Sequence, residues 1–259
     1  MGGFNNPDVR SMLREDVFPT PFCPGCGHGI LLQLILRGIK RQDIPMDKMV
    51  FCSGIGCAGW IPSPHYAADT MHVLHGRPVA CATGIKLFRP ELNVMVISGD
   101  GDIASIGGNH LIHAARRNVP MTVVCANNFV YGMTGGQAAP TTPPGDRTST
   151  TPLGNQEKPF DLSRLVEAAG ATYVCRYHVG QAQPIIRAIG KALTCRGFAF
   201  IEVLSPCPTE YGRRNQLGTT LDMLKILKSR CVSKARAKDM SPEELEGKLI
   251  TGEIVPLKK

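Results

Sequence analysis

The sequence predicts an α/β protein with a mostly parallel β-sheet flanked by helices, and two observations lead to this prediction. Several short runs are continuously apolar, as in the buried strands of parallel sheets, and the clearest covers residues 94–98. Together with a helical segment over 103–117 and a second apolar run over 121–126, it fits one βαβ unit. We therefore expect one α/β domain over residues 1–212, followed by an irregular extension over 213–259 that packs on this domain or on a partner chain.

The elements before this unit follow in chain order. The first 22 residues read as an irregular arm that leads into the first cysteines, and residues 27–40 predict a helix that is apolar almost all round and therefore buried. A strand over 49–52 ends in a glycine-rich loop over 53–59. Residues 61–80 are rich in Pro and His and predict loops with short helical pieces.

The elements after this unit complete the predicted α/β core. Residues 131–160 are dense in Gly, Thr and Pro, and a loop of this length in a compact domain is usually functional or covered by a partner. A helix is predicted from the N-cap Asp161 to the C-cap Gly170. It is followed by strand 171–177, helix 183–195, strand 198–204, and a basic, less regular segment in which Ser241 begins a short helix.

The composition is ordinary for a globular protein, with an excess of positive charge. Of the 259 residues, 43% are hydrophobic and 19% are charged, which permits a substantial core. The net charge of +8 indicates an anionic partner, or simply a solvated basic surface. One Trp and five Tyr offer little surface for stacking on bases, and the longest apolar stretch is too short to cross a bilayer. We expect neither a nucleic-acid nor a membrane partner.

Two polar clusters at predicted strand ends indicate a diphosphate and magnesium site. Gly99-Asp100-Gly101 follows the first strand of the βαβ unit, and Asn127-Asn128 follows the second, with 25 residues between the clusters. Open α/β sheets bind ligands at the carboxyl ends of their strands, and Asp100 and Asn128 supply the hard oxygen ligands that Mg²⁺ prefers. Gly-Asp-Gly alone can be a tight turn, but the combination matches the thiamine diphosphate fingerprint. The Gly-x-Gly-x-x-Gly pattern of a nicotinamide site is not present here.

Four cysteines among prolines and glycines form a second candidate site: Cys23, Cys26, Cys57 and Cys207. The chain has ten cysteines, too few for a disulfide scaffold, and its start lacks the pattern of a signal peptide. We therefore expect a cytoplasmic protein whose clustered cysteines bind metal. Zinc would favour a second close pair, whereas the third and fourth cysteines are isolated, so the spacing favours an iron–sulfur cluster over zinc and over a redox dithiol.

The two predicted sites complement each other chemically. The carbanion of thiamine adds to a 2-oxo acid, and loss of CO₂ leaves an electron-rich enamine. An adjacent iron–sulfur cluster would accept its two electrons in two steps. Cys57 lies in the glycine-rich loop expected near thiamine and is also a candidate cluster ligand, so it connects the two sites.

With these motifs the chain resembles the β subunits of 2-oxoacid:ferredoxin oxidoreductases, and most nearly the members that use 2-oxoglutarate. The resemblance covers residues 23–212 and implies a thiamine diphosphate-binding fold. The matching segments are Cys23-Pro-Gly-Cys-Gly-His28, Gly54-Ile-Gly-Cys57, His75-Gly-Arg77, Ala82-Thr-Gly-Ile-Lys86, Gly99-Asp-Gly-Asp102, Asn127-Asn128, Tyr131-Gly-Met-Thr-Gly-Gly-Gln137 and Ser205-Pro-Cys-Pro208.

The resemblance implies three cofactors and their ligands. A [4Fe-4S] cluster would be bound by the four cysteines named above, and Mg²⁺ by Asp100, Asn128 and the backbone carbonyl of Val130. The implied thiamine diphosphate contacts are Ile55, Gly56, Cys57, Ala58, His75, Thr83, Gly99, Gly101, Asp102, Tyr131, Gly132, Met133 and Thr134. The implied substrate contacts are Trp60, Arg77 and Lys86. Asp102 has a second interpretation as a helix N-cap, and His75 and Lys86 have second interpretations as structural residues.

The resemblance also implies partners. The glutamate that activates thiamine would belong to an α subunit, or a fused γα subunit, because Glu91, Glu157 and Glu167 lie in no comparable motif. No residue of this chain is therefore assigned as catalytic, and the chain alone should be inactive. A dimer of heterodimers would convert a 2-oxo acid and coenzyme A to acyl-CoA and CO₂ and reduce ferredoxin.

Three alternatives remain open at the level of sequence. Some family members carry Lys or Arg where this chain has Trp60, and a Trp there fits a branched or aromatic 2-oxo acid, or core packing, as well as 2-oxoglutarate; pyruvate is a further candidate. A thiamine-dependent lyase with a structural zinc site is the second alternative. The third is a subunit without catalytic function that transfers electrons or serves as a scaffold.

Overall fold

Eight strands form one mostly parallel sheet, as the sequence predicts, in a computed structural model that describes residues 8–257. The first seven residues of the predicted arm lie outside the described residues. The sheet order is β2-β1-β3-β4-β8-β7-β10-β9, and only β10 and β7 pair antiparallel. The strands are β1 (Met49–Ser53), β2 (Asp69–His72), β3 (Asn93–Gly99), β4 (Thr122–Asn127), β7 (Tyr173–His178), β8 (Ala199–Leu204), β9 (Cys231–Ser233) and β10 (Leu249–Val255), with a separate hairpin of β5 (Val130–Tyr131) and β6 (Gln137–Ala138).

Helices cover both faces of this sheet, which explains why its central strands are apolar throughout. The helices are α1 (Gly27–Lys40), α2 (Pro78–Phe88), α3 (Gly108–Arg116), α4 (Leu162–Ala168), α5 (Ala182–Leu193), α6 (Thr220–Arg230), α7 (Lys234–Ala237) and α8 (Pro242–Leu245). α1 and α5 build the core on one face, whereas α2, α3 and α4 build it on the other. Gly38 lets α1 approach α5, because a Cβ there would lie 2.5 Å from the Ile189 side chain.

The register of β3 and β4 brings the two polar motifs to one edge of the sheet. The strands are parallel, and Gly99 pairs with Ala126, so the residues that follow each strand are neighbours at the carboxyl edge. β1 is the next parallel strand beyond β3, and its glycine-rich loop leaves from the same edge. The topology therefore assembles the predicted thiamine motifs in one place.

The C-terminal extension is more regular than the sequence predicts. α6 begins with a capping box between Thr219 and Asp222, and β10 enters the main sheet beside β7. The sequence does not predict β10, because Gly252 interrupts its apolar pattern and an internal glycine is unfavourable in a strand. In the structure Gly252 has a φ of +119°. The extension packs on the α/β domain through this strand.

Two further segments differ from prediction. Residues 61–80 contain the short parallel strand β2, and the helix predicted over 103–117 is divided into a π-helical turn, Asp102–Ile106, and α3. The division falls at Gly107, where a Cβ would lie 2.7 Å from the Asp102 carbonyl oxygen. Apart from the β5–β6 hairpin, residues 131–160 are irregular, as predicted. Within residues 8–257, no helix combines the length and apolar character needed to span a bilayer.

Candidate functional site

A cleft at the carboxyl edge of the sheet brings together the predicted thiamine and magnesium residues. Six segments contribute: the start of α1, the glycine-rich loop after β1, the segment before α2, the Gly-Asp-Gly turn after β3, the Asn-Asn turn after β4, and the β5–β6 hairpin. Of the predicted thiamine contacts, all but Thr83 line it, and so do the three predicted Mg²⁺ ligands. The lining residues are His28, Ile55, Gly56, Cys57, Ala58, His75, Gly99, Asp100, Gly101, Asp102, Asn128, Val130, Tyr131, Gly132, Met133 and Thr134.

Asp100 is a buried carboxylate with no ion-pair partner among the described residues. It is 1% exposed, and burial raises its pKa to about 6 despite a hydrogen bond from Thr141. The Asn128 N–H points to Asp100 Oδ1 at 3.4 Å, and Asn128 Oδ1 in turn accepts a hydrogen bond from the Val130 N–H at 3.2 Å. A divalent cation would supply the missing positive charge, so the donor set fits Mg²⁺.

Asp102 ties the loops of the cleft together. Its Oδ1 accepts hydrogen bonds from the Gly76 N–H at 2.7 Å and the Ile55 N–H at 3.2 Å and contacts His75, while its Oδ2 accepts one from Ser98 at 2.7 Å. Its carboxylate caps no helix terminus, so the alternative interpretation as an N-cap is wrong. The side chain instead uses its acceptor capacity to hold the loop after β1 against the segment before α2.

Close approach between the hairpin and the Gly-Asp-Gly turn explains the second glycine of that motif. The Tyr131 hydroxyl donates to the Gly101 carbonyl at 3.1 Å. A Cβ on Gly101 would lie 2.4 Å from the Tyr131 ring, which is too close for any side chain. The Tyr131 ring also meets the His75 ring edge-on, with ring centroids 6.0 Å apart.

The four predicted cysteine ligands line a second pocket of about 240 Å³ beside the cleft. Cys57, Asn128, Gly132 and Met133 line both cavities, so the two sites share one wall. A Cβ on Gly132 would lie 3.5 Å from the Cys207 Sγ and 3.8 Å from the Cys57 Sγ. Within the described chain, no three His, Cys, Asp or Glu side chains are grouped to hold a single metal ion.

The electrostatics of this pocket suit coordination rather than free thiolates. Burial, with a smaller contribution from the neighbouring cysteines, raises the pKa of Cys26 to about 12 and that of Cys57 to about 11. As free thiols, Cys26 and Cys57 therefore stay protonated at neutral pH. Cationic iron would stabilise the deprotonated sulfurs, so four cysteines facing one pocket fit a cysteine-ligated iron–sulfur cluster.

His28 belongs to the cleft but has no predicted role in the sequence analysis. It lies in the first turn of α1, is 1% exposed, and has its Nδ1 3.2 Å from Ser205 Oγ. Burial lowers its pKa to about 4, so the imidazole is neutral at physiological pH. The sequence feature that indicates His28 is its position two residues after Cys26, at the start of a helix predicted to be buried.

We expect His28 to make the stability of the cofactor-free chain depend on pH. Between the ordinary pKa of 6.5 and the folded value of about 4, the unfolded chain binds more protons than the folded chain, so stability decreases as the pH is lowered. From pH 7 to pH 4.5 this amounts to about 2–3 kcal/mol. The raised pKa of Asp100 changes stability in the opposite direction on acidification. The effect of His28 is therefore measured as the difference between the wild type and a His28 variant.

The measurement is urea unfolding of the wild type and of His28→Asn at both pH values. The variant should lose less stability on acidification than the wild type, whereas replacing the exposed His113 with Asn should leave the pH dependence unchanged. Equal pH dependence of wild type and His28→Asn would contradict the prediction.

Two predicted contacts lie away from the cleft, because α2 runs from the carboxyl edge of the sheet to the opposite edge. Lys86 Nζ donates to the Pro90 and Leu92 carbonyls at 2.8 and 2.7 Å and lines a different cavity, beside the start of β4. Thr83 donates to the Val79 carbonyl within α2. Neither side chain lines the cleft, and the assignments of Lys86 to substrate and Thr83 to cofactor stay predictions.

Arg77 and Trp60 lie nearer the cleft without lining it. Arg77 precedes α2, and its guanidinium points back to the Gly76 carbonyl at 3.4 Å; its assignment to substrate stays a prediction. Trp60 is 40% exposed, lines the cysteine pocket, and packs edge-on against His72 with centroids 6.0 Å apart. This exposure excludes the alternative of simple core packing for Trp60.

The fold and the cleft define a thiamine diphosphate-binding protein, and comparisons with known proteins agree. Residues 54–203 match the family model of the C-terminal thiamine pyrophosphate-binding domain of thiamine pyrophosphate enzymes. The chain is 49% identical over 249 residues to the 2-oxoglutarate synthase subunit KorB of Methanothermobacter marburgensis, covering 96% of this chain and 87% of the relative. It is 50% identical over 221 residues to the KorB subunit of Archaeoglobus fulgidus, covering 85% and 80%.

A solved structure extends the likeness to three dimensions. The 2-oxoglutarate:ferredoxin oxidoreductase of Magnetococcus marinus, with 2-oxoglutarate, coenzyme A and succinyl-CoA bound, superposes with a TM-score of 0.84. It shares 34% identity over 98% of this chain and 86% of that one. The chain belongs to the thiamine diphosphate-binding β subunits of the 2-oxoacid:ferredoxin oxidoreductase family.

Proposed function

We propose that this chain is the β subunit of a 2-oxoglutarate:ferredoxin oxidoreductase, which converts 2-oxoglutarate and coenzyme A to succinyl-CoA and CO₂ and reduces ferredoxin. The relatives named above carry this activity in their names, and the solved relative holds 2-oxoglutarate and coenzyme A. We further propose a cytoplasmic complex that is a dimer of heterodimers with an α, or fused γα, subunit.

The observation that carries the proposal is the wall shared by the cleft and the cysteine pocket. Cys57 lines both, and Gly132 brings the Cys57 and Cys207 sulfurs close to the hairpin that borders the cleft. When bound, thiamine diphosphate supplies the carbanion that adds to the 2-oxo acid, and a [4Fe-4S] cluster supplies a one-electron acceptor. A lyase without redox chemistry would have no need for this proximity.

The chain's own residues bind and orient these groups. Asp100, Asn128 and the Val130 carbonyl would hold Mg²⁺, and the backbone of the Gly-Asp-Gly turn would accommodate the diphosphate. Asp102 and His75 keep the loops around the cleft in place. Cys23, Cys26, Cys57 and Cys207 would hold the cluster.

The α subunit would complete the site. No glutamate is among the described residues that line the cleft, so the group that activates thiamine must come from elsewhere. Large apolar side chains are exposed on the segments around the cleft: Ile55 is 42% exposed, Met133 48%, Ile106 51% and Leu74 79%. An apolar rim of this kind fits a covering partner rather than solvent.

A combined spectroscopic and kinetic experiment tests the proposal. Protein purified without oxygen, alone and with its α partner, is assayed for iron and sulfide and for its visible absorption. We expect about four iron atoms per chain, as in a [4Fe-4S] cluster. The visible band should bleach with 2-oxoglutarate only in the complex, with ferredoxin reduction dependent on coenzyme A.

The alternatives predict other outcomes. Stoichiometric zinc without iron would support a lyase and contradict the proposal. Bleaching by pyruvate or by a branched-chain or aryl 2-oxo acid, but not by 2-oxoglutarate, would retain the redox role and reassign the substrate, with Trp60 as the first residue to examine. A cluster that no 2-oxo acid reduces in the complex would support an electron-transfer or scaffold subunit.

A further inference from the structure

A chain of buried polar side chains leads from Asp100 into the sheet, and the function proposed above makes no use of it. Thr141 Oγ1 donates to Asp100 Oδ2 and lies 3.1 Å from Asn127 Oδ1. Asn127 Nδ2 donates to Glu202 Oε1 at 2.8 Å, and Arg176 Nε donates to Glu202 Oε2 at 2.8 Å. All five residues are at most 4% exposed. We call these five residues the polar relay.

The polar relay follows the order of the strands across the sheet. Asp100 directly follows β3, Asn127 ends β4, Glu202 lies on β8 and Arg176 lies on β7, where it is the register partner of Glu202. Thr141 alone comes from the long irregular segment after β6. The relay therefore connects this segment to four adjacent strands of the sheet.

The hydrogen-bonding capacities of its members determine how the relay is oriented. Asn127 presents its Nδ2 to a carboxylate, and its Oδ1 accepts a hydrogen bond from the Phe129 N–H at 3.1 Å, so the amide has one favourable orientation. The Thr141 hydroxyl therefore faces two acceptors, Asp100 and Asn127, and acts as a donor. By occupying Asp100 Oδ2, it leaves Oδ1, which accepts the 3.4 Å contact from the Asn128 N–H, with a further lone pair for a cation.

We propose that Thr141 is a positioning residue for the Mg²⁺ ligand Asp100, held in place by Asn127 and the buried Glu202–Arg176 pair; this inference rests on the proposed function. Partners in the outer shell of a metal site orient the ligating carboxylate, and their loss typically weakens metal binding about 10–100-fold. Glu202 is itself held by Arg176 and by the Ser163 hydroxyl at 2.8 Å, so the end of the relay distant from the metal is anchored.

Titration of the αβ complex with Mg²⁺ at saturating thiamine diphosphate, followed by calorimetry, tests the proposal. Thr141→Val removes the hydroxyl at nearly constant shape and should weaken Mg²⁺ binding about 10–100-fold. Thr141→Ser retains the donor and should stay within about threefold of the wild type. Thr148→Val is the matched control, because Thr148 is a buried threonine of the same segment whose hydroxyl, among residues 8–257, bonds only to Thr150 and Thr151.

The outcomes separate this inference from the proposed function. A wild-type complex that binds no Mg²⁺–thiamine diphosphate would refute the cofactor assignment itself. If the wild-type complex binds Mg²⁺ and Thr141→Val binds it within about twofold of the wild-type affinity, the proposed role of Thr141 is overturned. An equal loss of Mg²⁺ affinity in Thr148→Val would overturn it as well. The melting temperature and iron content report whether each variant is folded.

A double-mutant cycle tests the distant half of the relay. Combining Thr141→Val with Glu202→Gln should weaken Mg²⁺ binding less than the product of the two single losses, because both act through Asn127 and Asp100. Ser163→Ala replaces Glu202→Gln in the cycle if the latter does not fold. Multiplicative losses would show that Glu202 and Thr141 act independently and would overturn this part of the proposal.

Discussion

Replacing Asp100 with alanine is expected to weaken Mg²⁺-dependent binding of thiamine diphosphate by more than about 100-fold, since even residues that only support a metal ligand contribute about 10–100-fold. The carboxylate is buried without a cationic partner among the described residues, and its pKa of about 6 records the cost of keeping this charge without a counter-ion. A bound cation reverses that cost. Removing the carboxylate therefore removes both the ligand and the main electrostatic attraction for Mg²⁺.

Calorimetric titration of the αβ complex with thiamine diphosphate, with and without Mg²⁺, measures this loss. Asp146→Asn is the matched control, because Asp146 is a partly buried aspartate that pairs with Arg230 instead of facing the cleft. The control should bind as the wild type does. The iron content and visible spectrum should be unchanged in both variants, because the cysteines lie in the neighbouring pocket. Retained Mg²⁺-dependent binding in Asp100→Ala would refute the assignment of this residue.

The second large effect is expected from Cys207→Ala, which should leave less than one of about four iron atoms per chain and abolish ferredoxin reduction. Cys207 lines the cysteine pocket next to the shared wall, with its Sγ close to Gly132, and the same pocket contains the three other candidate ligands. A cluster that lacks one of its four protein ligands dissociates more readily from the protein. The thiamine cleft should persist, because Cys207 does not line it.

Iron analysis and ferredoxin reduction of the complex purified without oxygen measure this effect, and thiamine diphosphate binding reports on the cleft. Cys195→Ala is the matched control: it is also a partly buried free cysteine, but it lines a cavity at the amino edge of the sheet. It should retain iron and activity. Full iron content and electron transfer in Cys207→Ala would rule out Cys207 as a ligand.

Replacing Cys57 and replacing Cys207 are expected to have different effects, because Cys57 lines two cavities and Cys207 lines one of them. Cys57 lines both the cleft and the cysteine pocket, so its replacement is expected to disturb cofactor binding as well as the cluster. Cys207 lines only the cysteine pocket. Cys207→Ala is therefore the variant that separates the two sites, whereas Cys57→Ala tests their connection.

Local motifs were sufficient for most of the cleft. Gly99, Asp100 and Asn128 were found because strand ends, turns and metal ligands lie within a few residues of one another in the chain, and parallel strands align such ends at one edge. The resemblance assigns Lys86 and Thr83 to substrate and cofactor through the segment Ala82-Thr-Gly-Ile-Lys86, and these assignments stay predictions. This segment lies within α2, and because a helix moves each successive residue about 1.5 Å along its axis, neither residue lines the cleft.

The sequence by itself determined the fold class, the cysteine set and the thiamine motifs, because each depends on residue types at short or fixed spacings. Only the tertiary structure decided what Thr141, His28 and Asp102 contact and that β10 completes the sheet. Thr141 meets Asp100 across 41 residues and His28 meets Ser205 across 177. Such contacts depend on how separate segments pack together, and no local pattern of residues specifies that packing.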